Sequence, residues 1–104
     1  MRIAVLGAGA MGSLFGGYLS QHNQVWLVDV DLEKVNKINC YGIKIREPQG
    51  DLVFHPKAIN DTADLGKVDL LIVFVKAMYS RSALSQNQHL IGDDTYVMTL
   101  QNGS

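Results

Sequence analysis

The stretch that decides the fold is Ile3-Ala-Val-Leu-Gly-Ala-Gly-Ala-Met-Gly12, near the start of the chain. Its first four residues form a short apolar run, which is typical of a β-strand buried on both faces. The spacing Gly-x-Gly-x-x-Gly follows, and the next apolar residues recur at helical intervals, at Met11, Leu14, Phe15, Tyr18 and Leu19. A glycine loop between a strand and a helix is the arrangement that binds the pyrophosphate of a dinucleotide.

Each glycine of this loop has its own physical reason. Gly7 permits a tight turn, Gly9 lets the backbone come close to a pyrophosphate, and Gly12 lets helix and strand pack closely. Free N–H groups and the helix dipole would hold the phosphates without a basic side chain. The alternative is a strand-to-helix turn that binds nothing. We predict a cofactor-binding segment made of Gly7, Ala8, Gly9, Ala10, Met11 and Gly12.

The rest of the chain alternates strands and helices. The further predicted elements are apolar strands at 25–28, 69–75 and 96–100, a helix after Asp31, a hairpin pairing 43–46 with 52–54, and a polar helix over roughly 78–89. This alternation predicts a doubly wound, parallel α/β sheet of the Rossmann NAD(P)-binding type. Ligands of such sheets bind beyond the carboxyl ends of the strands, which here are residues 7–12, Asp29, Lys76 and residues 101–103.

Two further glycines, Gly16 and Gly17, lie inside the first predicted helix. Glycine at such a position costs about 1 kcal/mol relative to alanine. We therefore expect another element, or another domain, to approach the helix closely at this point.

Asp29 follows the second predicted strand, 20 residues after Gly9. An acidic side chain there can accept hydrogen bonds from the ribose hydroxyls of adenosine, and it repels the 2′-phosphate of NADP. No arginine occurs in residues 29–33 to offset the charge, so these residues favour NAD over NADP. The alternative is that Asp29 is a solvated strand end and that Asp31 caps the next helix.

Lys76 and Asn102 stand where two later strands end. An ammonium at Lys76 could meet a substrate carboxylate or a cofactor phosphate, and the amide of Asn102 could orient a nicotinamide or a substrate hydroxyl. Position alone supports equally a lysine that leaves a buried strand for water and an asparagine in a turn before Gly103. Their roles stay open at this point.

Composition restricts the classes of function. Nine basic and ten acidic residues give a net charge of −1, which offers no broad electrostatic surface for nucleic acid or anionic membrane. The three histidines lie far apart and no P-loop motif occurs, so neither a metal site nor a P-loop nucleotidase is predicted. No apolar run approaches the ~20 residues that span a bilayer. A single cysteine, Cys40, and no secretory signal indicate the cytoplasm.

Three segments together resemble the ketopantoate reductase (2-dehydropantoate 2-reductase) family: residues 3–16, Val73-Phe-Val-Lys-Ala77 and Thr99-Leu-Gln-Asn-Gly103. The resemblance implies an oxidoreductase that reduces 2-dehydropantoate to pantoate with NADPH, on the route to pantothenate and coenzyme A. It also implies that Lys76 helps to hold cofactor and substrate and that Asn102 lies beside the nicotinamide. Asp29 departs from the family pattern, because NADPH-using members tend to carry a basic residue near this point.

The resemblance implies a second, mostly helical domain that supplies the catalytic lysine and an acidic substrate-binding residue. No segment here matches it, so we expect residues 1–104 to be a truncated amino-terminal domain with no catalytic residue of its own and negligible turnover. The expected partners are a small 2-keto acid and NADP or NAD; a homodimer is left open. The alternatives are an NAD-dependent reductase of another branched 2-keto acid, a dehydrogenase of 3-hydroxyacids or sugar acids, and a non-catalytic NAD-sensing domain.

Overall fold

The computed structural model describes residues 1–74 and 85–100. The elements in chain order are β1 (Arg2–Leu6), α1 (Ala10–Leu19), β2 (Gln24–Val28), α2 (Leu32–Tyr41), β3 (Ile43–Glu47), β4 (Gly50–Phe54), β5 (Lys57–Ile59), β6 (Leu70–Val73), a short 3₁₀ helix (Gln88–Leu90) and β7 (Tyr96–Thr99). The polar helix predicted over 78–89 lies largely outside the described residues; residues 85 and 86 are helical, and the 3₁₀ turn follows them.

Five strands form one parallel sheet in the order β5-β2-β1-β6-β7. The chain first winds from β1 to one side of the sheet, through α1, β2 and α2, and then returns to the other side of β1 to form β6 and β7. This reversal is the doubly wound arrangement, so the predicted fold class is confirmed. The hairpin of β3 and β4 forms a separate antiparallel pair, which confirms the predicted pairing; Ile43 lies opposite Phe54 and Ile45 opposite Leu52.

The core lies on both faces of β1. Because successive side chains of a strand point to opposite faces, Ile3 and Val5 pack into one apolar cluster and Ala4 and Leu6 into another. All four are almost completely buried. The strand is therefore covered on both sides, as its uninterrupted apolar run predicts.

Helix α1 turns a glycine face, not its most apolar face, towards the rest of the molecule. Its buried residues are Gly12, Gly16 and Gly17. The apolar residues that indicated the helix remain partly exposed; the exposed fractions are 43% for Met11, 41% for Phe15 and 39% for Tyr18. The helix itself is confirmed; of the large side chains that indicated it, Leu19 packs against the core cluster of Ile3 and Val5, whereas Met11, Phe15 and Tyr18 are exposed.

The glycines inside α1 are explained by close neighbours. A Cβ atom at Gly16 would lie 2.5 Å from Cδ2 of Leu27 on β2. A Cβ atom at Gly17 would lie 3.2 Å from Cδ2 of Phe54 on the hairpin. The expected close approach is confirmed, and the approaching elements are β2 and the hairpin.

Helix α2 begins after Asp31, as predicted. The carboxylate of Asp31 accepts hydrogen bonds from the backbone N–H groups of Glu33 and Lys34, at 3.0 and 3.4 Å. Gly42 ends the helix with a φ of +74°, a conformation that favours glycine. Val35 and Ile38 face the core, whereas Leu32 is exposed. No helix in residues 1–74 and 85–100 is both long and apolar enough to cross a membrane.

Candidate functional site

The glycine loop joins β1 to α1 at the carboxyl edge of the sheet. Gly7 has a φ of +105°, and a Cβ atom there would lie 2.2 Å from the carbonyl oxygen of Phe74. The N–H of Gly7 donates to the carbonyl of Val28, at 2.8 Å. The turn therefore depends on glycine for both its backbone conformation and the space beside β6.

Gly12 and Gly9 have opposite surroundings. A Cβ atom at Gly12 would lie 2.0 Å from the carbonyl oxygen of Gly7, because the loop folds back against the first turn of α1. Gly9 is the exposed N-cap of α1, with an ordinary φ of −73°, and a Cβ atom there would meet nothing within 4 Å. The described fold thus requires glycine at position 12 but not at position 9.

The start of α1 has backbone N–H groups that the helix itself does not use. The first intrahelical bond runs from the N–H of Ser13 to the carbonyl of Gly9, at 2.9 Å, so the amides of Ala10, Met11 and Gly12 have no partner within the helix. Among residues 1–74 and 85–100 no side-chain cap bond is made at Gly9, and no acidic residue occupies the first turn of α1. Such a helix end attracts an anion.

Asp29 lies beside this loop and is bonded to it. Its Oδ2 accepts a hydrogen bond from the N–H of Ala8, at 3.0 Å, and its Oδ1 accepts one from the N–H of Asp31, at 3.0 Å. The N–H groups of Gly7 and Ala8 are therefore both bonded within the protein, and the amides left for a phosphate are those at the start of α1. Asp29 is more than a solvated strand end, since it joins the loop to the start of α2.

Lys34 gives Asp29 a positive partner, with its Nζ 3.5 Å from Oδ2. This cation lies one residue beyond residues 29–33, which contain no arginine, and it reaches back along the first turn of α2. Partial burial of Asp29 raises its pKa, but hydrogen bonds from the amides of Asp31 and Ala8 and the charge of Lys34 outweigh burial. The pKa of Asp29 therefore lies below its ordinary value.

A cavity of about 180 Å³ adjoins Asp29 at the carboxyl ends of β1 and β2. Leu6, Gly7 and the residues from Val28 to Val30 line one side, and Gln86 and Asn87 line the other. Sequence reasoning missed Gln86 and Asn87, because two polar residues in a polar helical segment give no signal of a cavity wall. The cavity is open to a ligand that reaches Asp29 from the edge of the sheet.

Two of the four places predicted to converge are brought together, namely the glycine loop and Asp29. Lys76 and residues 101–103, including Asn102, lie outside the described residues. Within the described ranges, no group of three or more histidine, cysteine, aspartate or glutamate residues could hold a metal ion.

The family model of ketopantoate reductase PanE/ApbA matches residues 3–104. A 2-dehydropantoate 2-reductase of Lactococcus lactis is 37% identical over 106 residues, which cover 99% of this chain and 34% of the relative. A 2-dehydropantoate 2-reductase of Pyrococcus abyssi is 36% identical, with 99% and 33% covered. These matches confirm the resemblance on which the sequence analysis relied. The chain spans about a third of the length of these relatives.

Solved structures give the same picture. The ternary structure of D-mandelate dehydrogenase with NADH and anilino(oxo)acetate superposes with a TM-score of 0.85 at 38% identity, covering 100% of this chain and 34% of the other. A structure described as a 2-dehydropantoate 2-reductase from Enterococcus faecalis gives a TM-score of 0.85 at 32% identity, with the same coverage.

Proposed function

The chain belongs to the ketopantoate reductase PanE/ApbA family, and from this premise we propose that it is the dinucleotide-binding part of a cytoplasmic NAD(P)H-dependent 2-keto acid reductase. The first candidate substrate is 2-dehydropantoate, the compound in the names of its relatives. The observation that carries the proposal is Gly9. Nothing in the described fold requires glycine there, whereas a pyrophosphate that approaches the backbone does.

The residues at the carboxyl edge fit a dinucleotide. The N–H groups of the exposed residues Ala10 and Met11, at the start of α1, can donate hydrogen bonds to a diphosphate, and the space over Gly9 leaves room for it. Asp29 can accept hydrogen bonds from the adenosine ribose, and the cavity beside it reaches from the end of β1 to Asn87. Its lowered pKa keeps Asp29 ionised at neutral pH, as a hydroxyl acceptor must be.

A bound nicotinamide dinucleotide supplies the hydride that reduces a keto carbon. The proposed work of this chain is to bind and orient. The amides of α1 hold the diphosphate, Asp29 holds the ribose, Lys76 meets a substrate carboxylate or cofactor phosphate, and Asn102 lies beside the nicotinamide. We assign no proton donor to residues 1–104. The donor for the forming alkoxide is proposed to lie in the two thirds of the relatives that this chain does not span.

A second candidate function is NADH-dependent reduction of a different 2-keto acid. Two observations favour it: a carboxylate, Asp29, occupies the position that disfavours a 2′-phosphate, and the D-mandelate dehydrogenase that shares 38% identity was solved with NADH. The two candidates share the cofactor site and differ in substrate and in the preferred dinucleotide.

The test of the cofactor site is Gly9→Ala, with Gly17→Ala as the matched control. Dissociation constants for NADH and NADPH are measured by calorimetry, and folding by thermal unfolding. Gly9→Ala is expected to keep the fold. It should raise the dissociation constant of the more tightly bound cofactor tenfold or more, because hydrogen bonds to a charged group contribute roughly 1.5–3 kcal/mol each. Gly17 faces the hairpin, so its replacement is expected to leave the affinity unchanged.

Substrate assays on the full-length protein that contains this chain distinguish the candidates. Preferred reduction of 2-dehydropantoate supports the first, and preferred NADH-dependent reduction of another 2-keto acid supports the second. Binding of a dinucleotide without turnover of any 2-keto acid would favour an NAD-sensing domain. A wild-type protein that binds neither dinucleotide, or Gly9→Ala that binds as tightly as wild type, would refute the proposed cofactor site.

A further inference from the structure

Lys34 occupies a position that its own helix does not favour. It is the third residue of α2, where the positive end of the helix dipole disfavours a cation. Its ammonium nevertheless turns back towards this end and lies 3.5 Å from the carboxylate of Asp29. The pairing with Asp29 is therefore the interaction that compensates for an unfavourable position.

The surroundings of Lys34 are otherwise acidic. Asp29, Asp31 and Glu33 lie in the five residues before it, and the carboxylates of Asp29 and Asp31 are fixed by backbone N–H groups. Without Lys34, a ligand at Asp29 would meet three carboxylates and no cation from this segment. A phosphate with a charge near −2 would be repelled strongly, whereas a neutral ribose hydroxyl would not.

We propose that Lys34 is a specificity-determining residue, which lets the adenosine end of the site accept the 2′-phosphate of NADPH beside Asp29. This inference rests on the proposed dinucleotide site. The side chain of Lys34 is 41% exposed while that of Asp29 is 15% exposed, so the ammonium is the partner that is free to turn towards a phosphate. Paired with Asp29 it leaves the hydroxyl-accepting carboxylate in place, and turned to a phosphate it offsets the negative charge.

A substitution at Lys34 can test cofactor choice without disturbing the glycine loop, whereas a substitution at Asp29 cannot. Replacing Asp29 removes the acceptor for the N–H of Ala8 and so disturbs the glycine loop together with the ribose contact. The ammonium of Lys34 pairs with Asp29, and the other bond of Lys34, to Asp31, is made by its backbone N–H, so its charge can be removed while the loop keeps its hydrogen bonds.

The test is Lys34→Met, which keeps the length of the side chain and removes its charge, with Lys37→Met as the matched control. Lys37 lies one turn later on α2, is exposed, and takes part in no ion pair within the described residues. Dissociation constants are measured for NADH and NADPH, and for AMP and 2′,5′-ADP, which report on the adenosine end alone. Each is measured at low and at high ionic strength.

Lys34→Met is expected to raise the dissociation constants of NADPH and 2′,5′-ADP on the order of tenfold at low salt. Those of NADH and AMP should change less than about threefold. High salt should shrink the difference, because an exposed charge is screened. Lys34→Arg should keep the wild-type ratio of the dissociation constants of NADPH and NADH. An unchanged NADPH-to-NADH ratio in Lys34→Met, or an equal change in Lys37→Met, would overturn this inference alone. A wild-type protein that binds no dinucleotide would overturn the proposed site as well.

Discussion

Replacing Gly12 by alanine is expected to destabilise the protein much more than the same replacement at Gly17, although both lie in α1. At Gly12 the new Cβ would lie 2.0 Å from the carbonyl oxygen of Gly7 and 3.1 Å from its carbonyl carbon. At Gly17 the nearest atom is 3.2 Å away, in the ring of Phe54. The expected losses of stability differ because a Cβ at Gly12 would meet backbone atoms, whereas a Cβ at Gly17 would meet a side chain that can adjust.

The magnitude follows from two opposing contributions. Each replacement gains about 1 kcal/mol of helix propensity, which is common to both positions. An extra methyl group in a packed site costs ~1–3 kcal/mol. At Gly12 the contact must lengthen by at least about 1 Å, to the 3.0 Å that real Cβ atoms keep, and the atoms that must move are backbone. The cost there lies at the top of that range, for a net loss of roughly 2 kcal/mol, or roughly 8–16 °C in Tm for a chain of this size.

The assay is urea unfolding followed by circular dichroism and by the fluorescence of Trp26, the one tryptophan. Gly17→Ala should be neutral or slightly stabilising, and Gly16→Ala should fall between the two, because its Cβ would lie 2.5 Å from a methyl group of Leu27. Equal midpoints for Gly12→Ala and Gly17→Ala would show that the loop does not fold back on α1 as described.

Two further predictions concern Asp29 and Asn39. Because the pKa of Asp29 is lowered, its carboxylate stabilises the fold above the pKa of an unfolded aspartate, and this contribution is lost as the pH falls through the lower folded pKa. In urea unfolding, the free energy of unfolding of Asp29→Asn should therefore fall less steeply than that of the wild type as the pH is lowered. An equally steep fall would contradict this. Asn39 exchanges two 2.9 Å hydrogen bonds with the backbone of Ala58, so Asn39→Ala should cost about 1–3 kcal/mol, against little change for exposed Asn36→Ala.

The parts of the fold that sequence predicts are those with a strong local pattern. The apolar run of β1, the spacing of the glycine loop and the alternation of the hairpin are each local patterns that can be seen directly in the sequence. The strand β5 was missed because it has three residues, of which only Ala58 is buried, and so shows no period. The buried face of α1 was hidden for a different reason. Glycines carry no hydropathy signal, and only the elements that meet them reveal which face packs.

The candidate site divides in a similar way. Asp29 was predicted as a site residue from its spacing to the loop, but its bond to Ala8 depends on the parallel register of β1 and β2. That register pairs Leu6 with Val28 and so brings the residues just beyond the two strands side by side. The pairing of Asp29 with Lys34 depends on the first turn of α2. This turn places the side chain of Lys34 back towards Asp29, at the end of β2. Neither contact is visible in a window of residues read along the chain.

These contacts give Asp29 two roles that a change of cofactor preference would have to separate. The carboxylate that we propose as the acceptor of ribose hydroxyls also accepts the N–H of Ala8, in the loop proposed to hold the diphosphate. A basic residue at position 29 would favour a 2′-phosphate at the expense of the loop. A cation at position 34 can offset the same charge while the bond from Asp29 to the loop stays intact. Selection or design that alters the preference of this site is therefore expected to act first at the start of α2.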